Sequence, residues 1–173
     1  YGYGIKAFML SMIETVLKVT NNTANPEILH KAIQYGQEML NKPIELLDGV
    51  EDTLRALKGK YRLVVATKGD LLDQERKLKK SELEHYFHHI EIMSDKKESD
   101  YLKLLRHLDC RPDEFLMIGN SLKSDVMPVL AIGGHAAHVP YHTTWEHEKI
   151  GHTIEHANFY EMGNIADITS YLE

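Results

Sequence analysis

Thr67, Lys96 and Asp125 each follow an apolar run, and a hydroxyl, an ammonium and a carboxylate gathered in one place could grip a small anion and work on it. The runs are Leu63-Val64-Val65-Ala66 before Thr67-Lys68-Gly69-Asp70, Ile90-Glu91-Ile92-Met93 before Ser94-Asp95-Lys96-Lys97, and Leu116-Met117-Ile118-Gly119 before Asn120-Ser121-Leu122-Lys123-Ser124-Asp125. Short apolar runs that stop at glycine or at polar residues read as buried strands delivering loops to the rim of a sheet. In an open parallel sheet such ends converge on one crevice.

The elements between these runs fit that arrangement. Residues Ile5 to about Pro43 show helical spacing and no strand signal: Phe8, Met12 and Val16 recur at four-residue intervals, and Ile28, Ile33 and Met39 follow Asn25-Pro26. From Leu47 onward helix and strand alternate. A helix carries Leu54 and Leu57, another runs from about Leu71 to Lys80, and a third presents Tyr101, Leu105 and Leu108 on one face. A fourth starts near Ser124, with Ser124 as its predicted N-cap so that Pro128 falls in the first turn, and Gly133-Gly134 stops it. Ala136-Ala137-His138-Val139 reads as a strand, Phe159-Tyr160 as a short one, and Ile168 to Leu172 as a terminal helical turn. Strands alternating with helices predict an α/β fold with a parallel, helix-covered sheet.

Composition narrows the function classes. With 173 residues and 43% hydrophobic content the chain can bury one good core, and no apolar stretch is long enough to span a bilayer. The excess of 26 acidic over 20 basic residues argues against a nucleic-acid surface, which needs clustered Lys and Arg. The single cysteine, Cys110, cannot form an internal disulfide, and no secretion signal is visible, so the cytoplasm is the expected compartment.

The three strand ends resemble the motifs of the haloacid dehalogenase superfamily of hydrolases, whose members are mostly phosphatases. Thr67 matches the second motif, a hydroxyl that binds the transferred phosphoryl group, and Lys96 in Ser94-Asp95-Lys96-Lys97-Glu98 matches the third, a lysine that steadies nucleophile and phosphate. Gly119-Asn120-Ser121-Leu122-Lys123-Ser124-Asp125 is similar to the fourth, which supplies magnesium ligands. The resemblance implies a three-layer Rossmann-like parallel sheet with a small helical cap, residues 1–45 forming part of the cap and 46–173 the core. It also implies a Mg²⁺-dependent phosphatase of a small phosphorylated metabolite, acting through an aspartyl-phosphate. Thr67 and Lys96 are the expected catalytic groups, Thr67, Lys68, Gly69 and Lys96 the phosphate site, and Asp125 with Asn120 the metal ligands.

The types suit the task. Phosphoryl transfer spreads negative charge over three oxygens, and catalysis consists largely of positioning that group and compensating its charge. Thr67 and the Lys68 and Gly69 amides can donate, the latter if a helix starts there. Lys96 is a compact cation, and magnesium takes one or two carboxylates plus water and substrate. The first motif, two aspartates after the first strand, is absent from these residues, so the nucleophile and its strand are expected upstream of Tyr1. Asn120 stands where most relatives carry an acid; 2-haloacid dehalogenases, which need no metal, also place asparagine here, so a dehalogenase and an inactive binding protein of the same fold are the alternatives.

Structural roles are open to the same residues. Thr67 can end a strand and cap a helix, Asp125 can compensate a helix dipole, Asn120 can sit in a turn, and Asp95 can cap or pair. Of Lys96 and Lys97, the neighbouring Ser94-Asp95 favours Lys96 as the inward one. Among the eleven histidines the spacings of His138, His142, His147, His152 and His156 do not match structural zinc. Trp145 is expected to pack over the last strand or to enter a pocket or subunit contact. Substrate choice is expected to rest on an apolar cap surface with Lys6, Lys18 and Gln34.

Overall fold

The computed structural model of the chain describes residues 1–2, 4–143, 151 and 153–172. Trp145, His147 and His152 lie outside the described residues.

Helix α1 (Ile5–Val19) and helix α2 (Pro26–Asn41) form a helical hairpin. Asn25 caps α2 by accepting the Glu27 N–H at 2.9 Å, and Pro26 occupies the first helical position, where its missing donor costs nothing. The faces that helical spacing predicts as covered stay open, with Phe8 50% and Ile28 47% exposed. Small residues make the contact instead: Ala7, Ala32 and Gly36 are the buried ones, because they let the two helices approach closely.

From Val50 on, helix and strand alternate as expected. The order is α3 (Val50–Leu57), β1 (Val64–Lys68), α4 (Leu71–Ser81), β2 (His89–Met93), α5 (Glu98–His107), β3 (Leu116–Gly119), α6 (Met127–Ala131), β4 (His135–His138), β5 (Phe159–Glu161) and α7 (Ile168–Tyr171). All strand pairs are parallel: Thr67 stands opposite Ile92 in β1–β2, Gly119 opposite His138 in β3–β4, and Ala137 opposite Tyr160 in β4–β5. Helices cover both faces. Met93, Tyr101, Leu104, Met117, Val126 and Val129 form a core under α5 and α6, and Leu57, Ala137, Met162 and Ile168 form a second one under α3 and α7. Each large apolar side chain removed from water there contributes about 1.5–3 kcal/mol.

One sheet was expected, and the described residues form two: β1–β2 and β3–β4–β5. Yet β1 and β3 share both cores. Val64 and Ala66 reach the cluster that contains Met117, while Leu63, the residue just before β1, reaches the one that Leu116 and Ile118 touch. Strands whose side chains meet the same clusters without exchanging hydrogen bonds are set apart laterally. Among the described residues, neither faces a strand on its second edge.

The fourth helix departs from expectation at its start. Ser121, not Ser124, is the N-cap, accepting the Ser124 N–H at 2.9 Å, and a five-residue π turn over Leu122–Val126 precedes α6. Pro128 removes the N–H that an α turn would aim at the Ser124 carbonyl. The hydroxyl of fully buried Tyr101 donates to that carbonyl at 3.0 Å. Gly133, at φ 87°, then ends the helix, with the Gly134 N–H returning to Val129 O at 2.9 Å. No described helix is long and apolar enough to cross a membrane.

Candidate active site

β1 ends on Thr67, whose hydroxyl donates to Gln74 Oε1 at 3.0 Å. Gln74 lies in the first turn of α4, which Asp70 caps by accepting the Asp73 N–H at 3.1 Å. Lys6 of α1 also pairs with Asp70 at 3.1 Å, tying the hairpin to this corner. The Lys6 bond, helped by the Asp73 amide, holds the Asp70 carboxyl below its usual range. Gly69 does not offer its amide to the crevice, as expected of it; that N–H is directed at Met93 O at 3.3 Å. Its contribution is room, since φ is 149° and a Cβ there would stand 2.9 Å from Gln74 Nε2. Lys68 reaches inward through its side chain, with Nζ 3.1 Å from Ser124 Oγ.

β2 delivers Lys96. Its ammonium meets Asp125 Oδ1 at 2.6 Å, with the two side chains only 10% and 6% exposed. Lys97 instead lies in solvent and pairs with Asp95 at 3.0 Å. Asp95 also accepts the Lys96 N–H at 2.9 Å. Its carboxyl is held low, first by the Lys97 side chain and then by that amide.

β3 ends at Gly119, and the π turn swings Asp125 back over that glycine so that Oδ2 accepts the Ser121 N–H at 3.0 Å. A single-turn π segment is rare and concentrates at functional sites, because the extra residue re-aims a side chain. The Tyr101 hydroxyl steadies the turn from below, and burial, with the Asp125 charge adding to it, raises its pKa. A hydroxyl whose pKa is raised on folding gives stability that is complete below the unfolded value, about 10, and lost as pH climbs through the folded one. Tyr101→Phe is therefore expected to flatten the fall in stability above about pH 10. Urea midpoints of both proteins at neutral and alkaline pH measure this; parallel curves would contradict it.

Thr67, Lys68, Lys96, Asn120 and Asp125 all line one crevice of about 840 Å³ between the hairpin and the strand ends. Gly69 does not line it. Nor do Lys6, Lys18 and Gln34; the hairpin and the segment after it contribute Ile5, Phe8, Met39, Leu40, Pro43 and Ile44. Sequence reasoning missed Gln74, whose only signal is a polar residue one turn beyond a strand end, and the paired serines Ser121 and Ser124. Beside the crevice, His138 Nε2 sits 3.2 Å from Asn120 O, a contact to the backbone of the Asn120 segment. Gln74→Leu would remove the acceptor that orients the Thr67 hydroxyl and is expected to lower kcat/KM for the substrate of this crevice by roughly tenfold, the scale of one lost hydrogen bond. Steady-state kinetics read this, and an unchanged value would contradict it.

The donor set bears on magnesium. Asp125 spends one lone pair on each oxygen, toward Lys96 and Ser121, and retains others, since a carboxylate offers about four. Asn120 adds an oxygen-bearing amide on the same wall. Among the described residues no three His, Cys, Asp or Glu side chains gather to hold a metal alone. One carboxylate and one amide fit an ion that keeps several waters and leans on substrate oxygens, which is how magnesium behaves.

Comparison with known proteins bears on identity. The profile of the family "Haloacid dehalogenase-like hydrolase" matches residues 4–139. A haloacid dehalogenase-like family hydrolase from Xanthomonas campestris is 34% identical over 99% of this chain and 72% of its own, with a TM-score of 0.90. A predicted phosphoglycolate phosphatase from Haemophilus somnus shares the fold at 17% identity, covering 99% and 79% of the two chains at a TM-score of 0.70. A putative hydrolase of the same superfamily from Bacillus subtilis, bound to magnesium, does so at 14% identity, 98% and 82% coverage and a TM-score of 0.64. No curated protein matches significantly. Profile, identity and parallel architecture agree: the chain belongs to the haloacid dehalogenase-like hydrolase family.

Proposed function

We propose that the protein is a magnesium-dependent hydrolase of a small phosphorylated metabolite. The observation that carries this reading is the meeting of Thr67, Lys68, Lys96, Asn120 and Asp125 in one crevice at the carboxyl ends of β1, β2 and β3. On binding, the single Thr67 hydroxyl proton turns from Gln74 Oε1 to a phosphoryl oxygen, Lys68 donates to another, and Lys96 offsets the charge that builds in transfer. Asp125 and Asn120 hold the magnesium ion, which when bound neutralises phosphoryl charge.

The nucleophile in this reading is an aspartate on a strand N-terminal to these residues, seated between β1 and β3, whose facing edges are unpaired among the described residues. Its carboxylate oxygen attacks phosphorus while the ester P–O bond breaks, and a second aspartate protonates the leaving alkoxide. Water then cleaves the acyl phosphate, releasing inorganic phosphate and restoring the carboxylate. Residues 1–45 act as the cap that shields this covalent step from bulk water.

The alternative, halide removal from a 2-haloacid, draws on Asn120. A crevice that gathers lysines at the reacting end suits a dianionic phosphoryl group better than a carbon-bound halide. The two readings part in one assay. The full-length polypeptide is expected to release phosphate from an aryl phosphate with magnesium and to stop on chelation; metal-independent halide release from a 2-haloacid, without phosphate release, would replace the proposal with the dehalogenase.

A further inference from the structure

Charge in the crevice is distributed against the trend of the chain. Overall the protein carries a net −6, yet the crevice wall shows six cationic side chains and a single carboxylate, Asp125. The excess does not sit at the strand ends, where Lys68 and Lys96 face Asp125. It sits further out. Arg76, Lys77 and Lys80 line the crevice from α4, and Lys42 lines it from the segment after α2. Buried Asp73 pairs with Arg76 and, at 3.2 Å, with Lys77, which offsets one charge of the three. Lys80 reaches only the Leu40 carbonyl, at 3.4 Å, and neither it nor Lys42 has a carboxylate partner among the described residues. Like charges that line one crevice repel one another, an arrangement that an anion among them would relieve.

We propose that the crevice contains a second anion subsite, formed by Lys42, Lys77 and Lys80, and that the substrate is a phosphate ester carrying a further carboxylate or phosphate at its far end. This rests on the phosphatase reading above for the reacting end. The spacing is set by the helix. α4 rises about 1.5 Å per residue, so Lys77 stands roughly 10 Å beyond the capping Asp70, and lysine side chains lean back toward the helix N-terminus. The midpoint of Lys77 and Lys80 thus lies about 13 Å along the axis from Asp70, and the backward lean brings their ammonium groups, and the second anion, to about 10 Å from the reacting one. In the same crevice Phe8, Pro43 and Ile44 present apolar surface, which suits a carbon skeleton. At 840 Å³ the space far exceeds a lone phosphoryl group and matches a ligand of that length.

Binding tests the subsite independently of turnover. Isothermal calorimetry on the full-length polypeptide would compare a linear α,ω-alkylbisphosphonate spanning about 10 Å with the monophosphonate of equal chain length. The bisphosphonate is expected to bind roughly tenfold or more tightly at low salt, the advantage shrinking as salt rises. In Lys77→Met/Lys80→Met, which keeps the apolar stems, the ratio is expected to fall close to one. Equal affinities in the unaltered protein, or a ratio that the double variant leaves intact, would overturn the subsite. Phosphate release with no bisphosphonate preference would sink the subsite and spare the hydrolase reading; the preference without any phosphate release would do the reverse.

Discussion

Lys96→Met is expected to cost about 3–5 kcal/mol of stability, the penalty for leaving a buried carboxylate without its cation. Asp125 is 4% exposed and its Oδ1 has the Lys96 ammonium at 2.6 Å, so the variant strips a nearly buried carboxylate of its cation. The second variant of the cycle separates pair from partner. Lys96→Met/Asp125→Asn removes both charges and is expected to recover most of the loss, because an amide is far cheaper to bury than an unpaired carboxylate. Activity is not expected to return with stability. In the proposed phosphatase Lys96 also answers the charge of the transferred phosphoryl group, and removal of one such aimed group costs about 10²–10³ in kcat. Urea denaturation and kinetics on the three proteins read the two effects separately; a Lys96→Met protein of undiminished stability and turnover would remove Lys96 from both roles.

Gly119→Ala is the second large effect. A Cβ at the end of β3 would lie 2.7 Å from Asp125 Cβ and closer still to the carboxylate itself. The carboxylate cannot retreat, since Lys96 holds one oxygen and the Ser121 amide the other. One added methyl group must therefore displace the acid or the strand end. Overpacking of this kind costs about 1–3 kcal/mol, and moving a reacting group by about 1 Å costs on the order of 10²-fold in rate. The magnesium concentration for half-maximal activity is expected to rise as well. Kinetics titrated with magnesium test this, and a variant with unaltered magnesium dependence and rate would show that Asp125 does not need its seat over Gly119.

Much of this site was legible because each strand announces its own end. Val64-Val65-Ala66, Ile90 to Met93 and Leu116-Met117-Ile118 are apolar runs cut off by polar residues, and parallel strands leave their carboxyl ends on one rim. The choice of Lys96 over Lys97 was also readable in part: Asp95 takes the Lys96 amide and the Lys97 side chain, which turns the latter outward. The segment between β3 and α6 was less legible. Both Ser121 and Ser124 are good caps, and Pro128 is compatible with either start, so composition alone does not reveal a π turn that depends on distant Tyr101 taking the Ser124 carbonyl. The Gly69 amide eluded the reading because its partner, Met93 O, belongs to the neighbouring strand. Nor did periodicity find the contact face of the hairpin, where Ala7, Ala32 and Gly36 act through small size and the larger Phe8 is left to line the crevice.

The central claim is that three distant segments make one magnesium-assisted phosphoryl site. A screen of phosphorylated metabolites against the full-length polypeptide, run with magnesium and with chelator beside the Asp125→Asn variant, tests it most directly. At least one ester is expected to release inorganic phosphate only when magnesium is present, with the variant slower by about 10² or more. Phosphate release that neither chelation nor Asp125→Asn diminishes, or no release from any ester in the panel, would contradict the account.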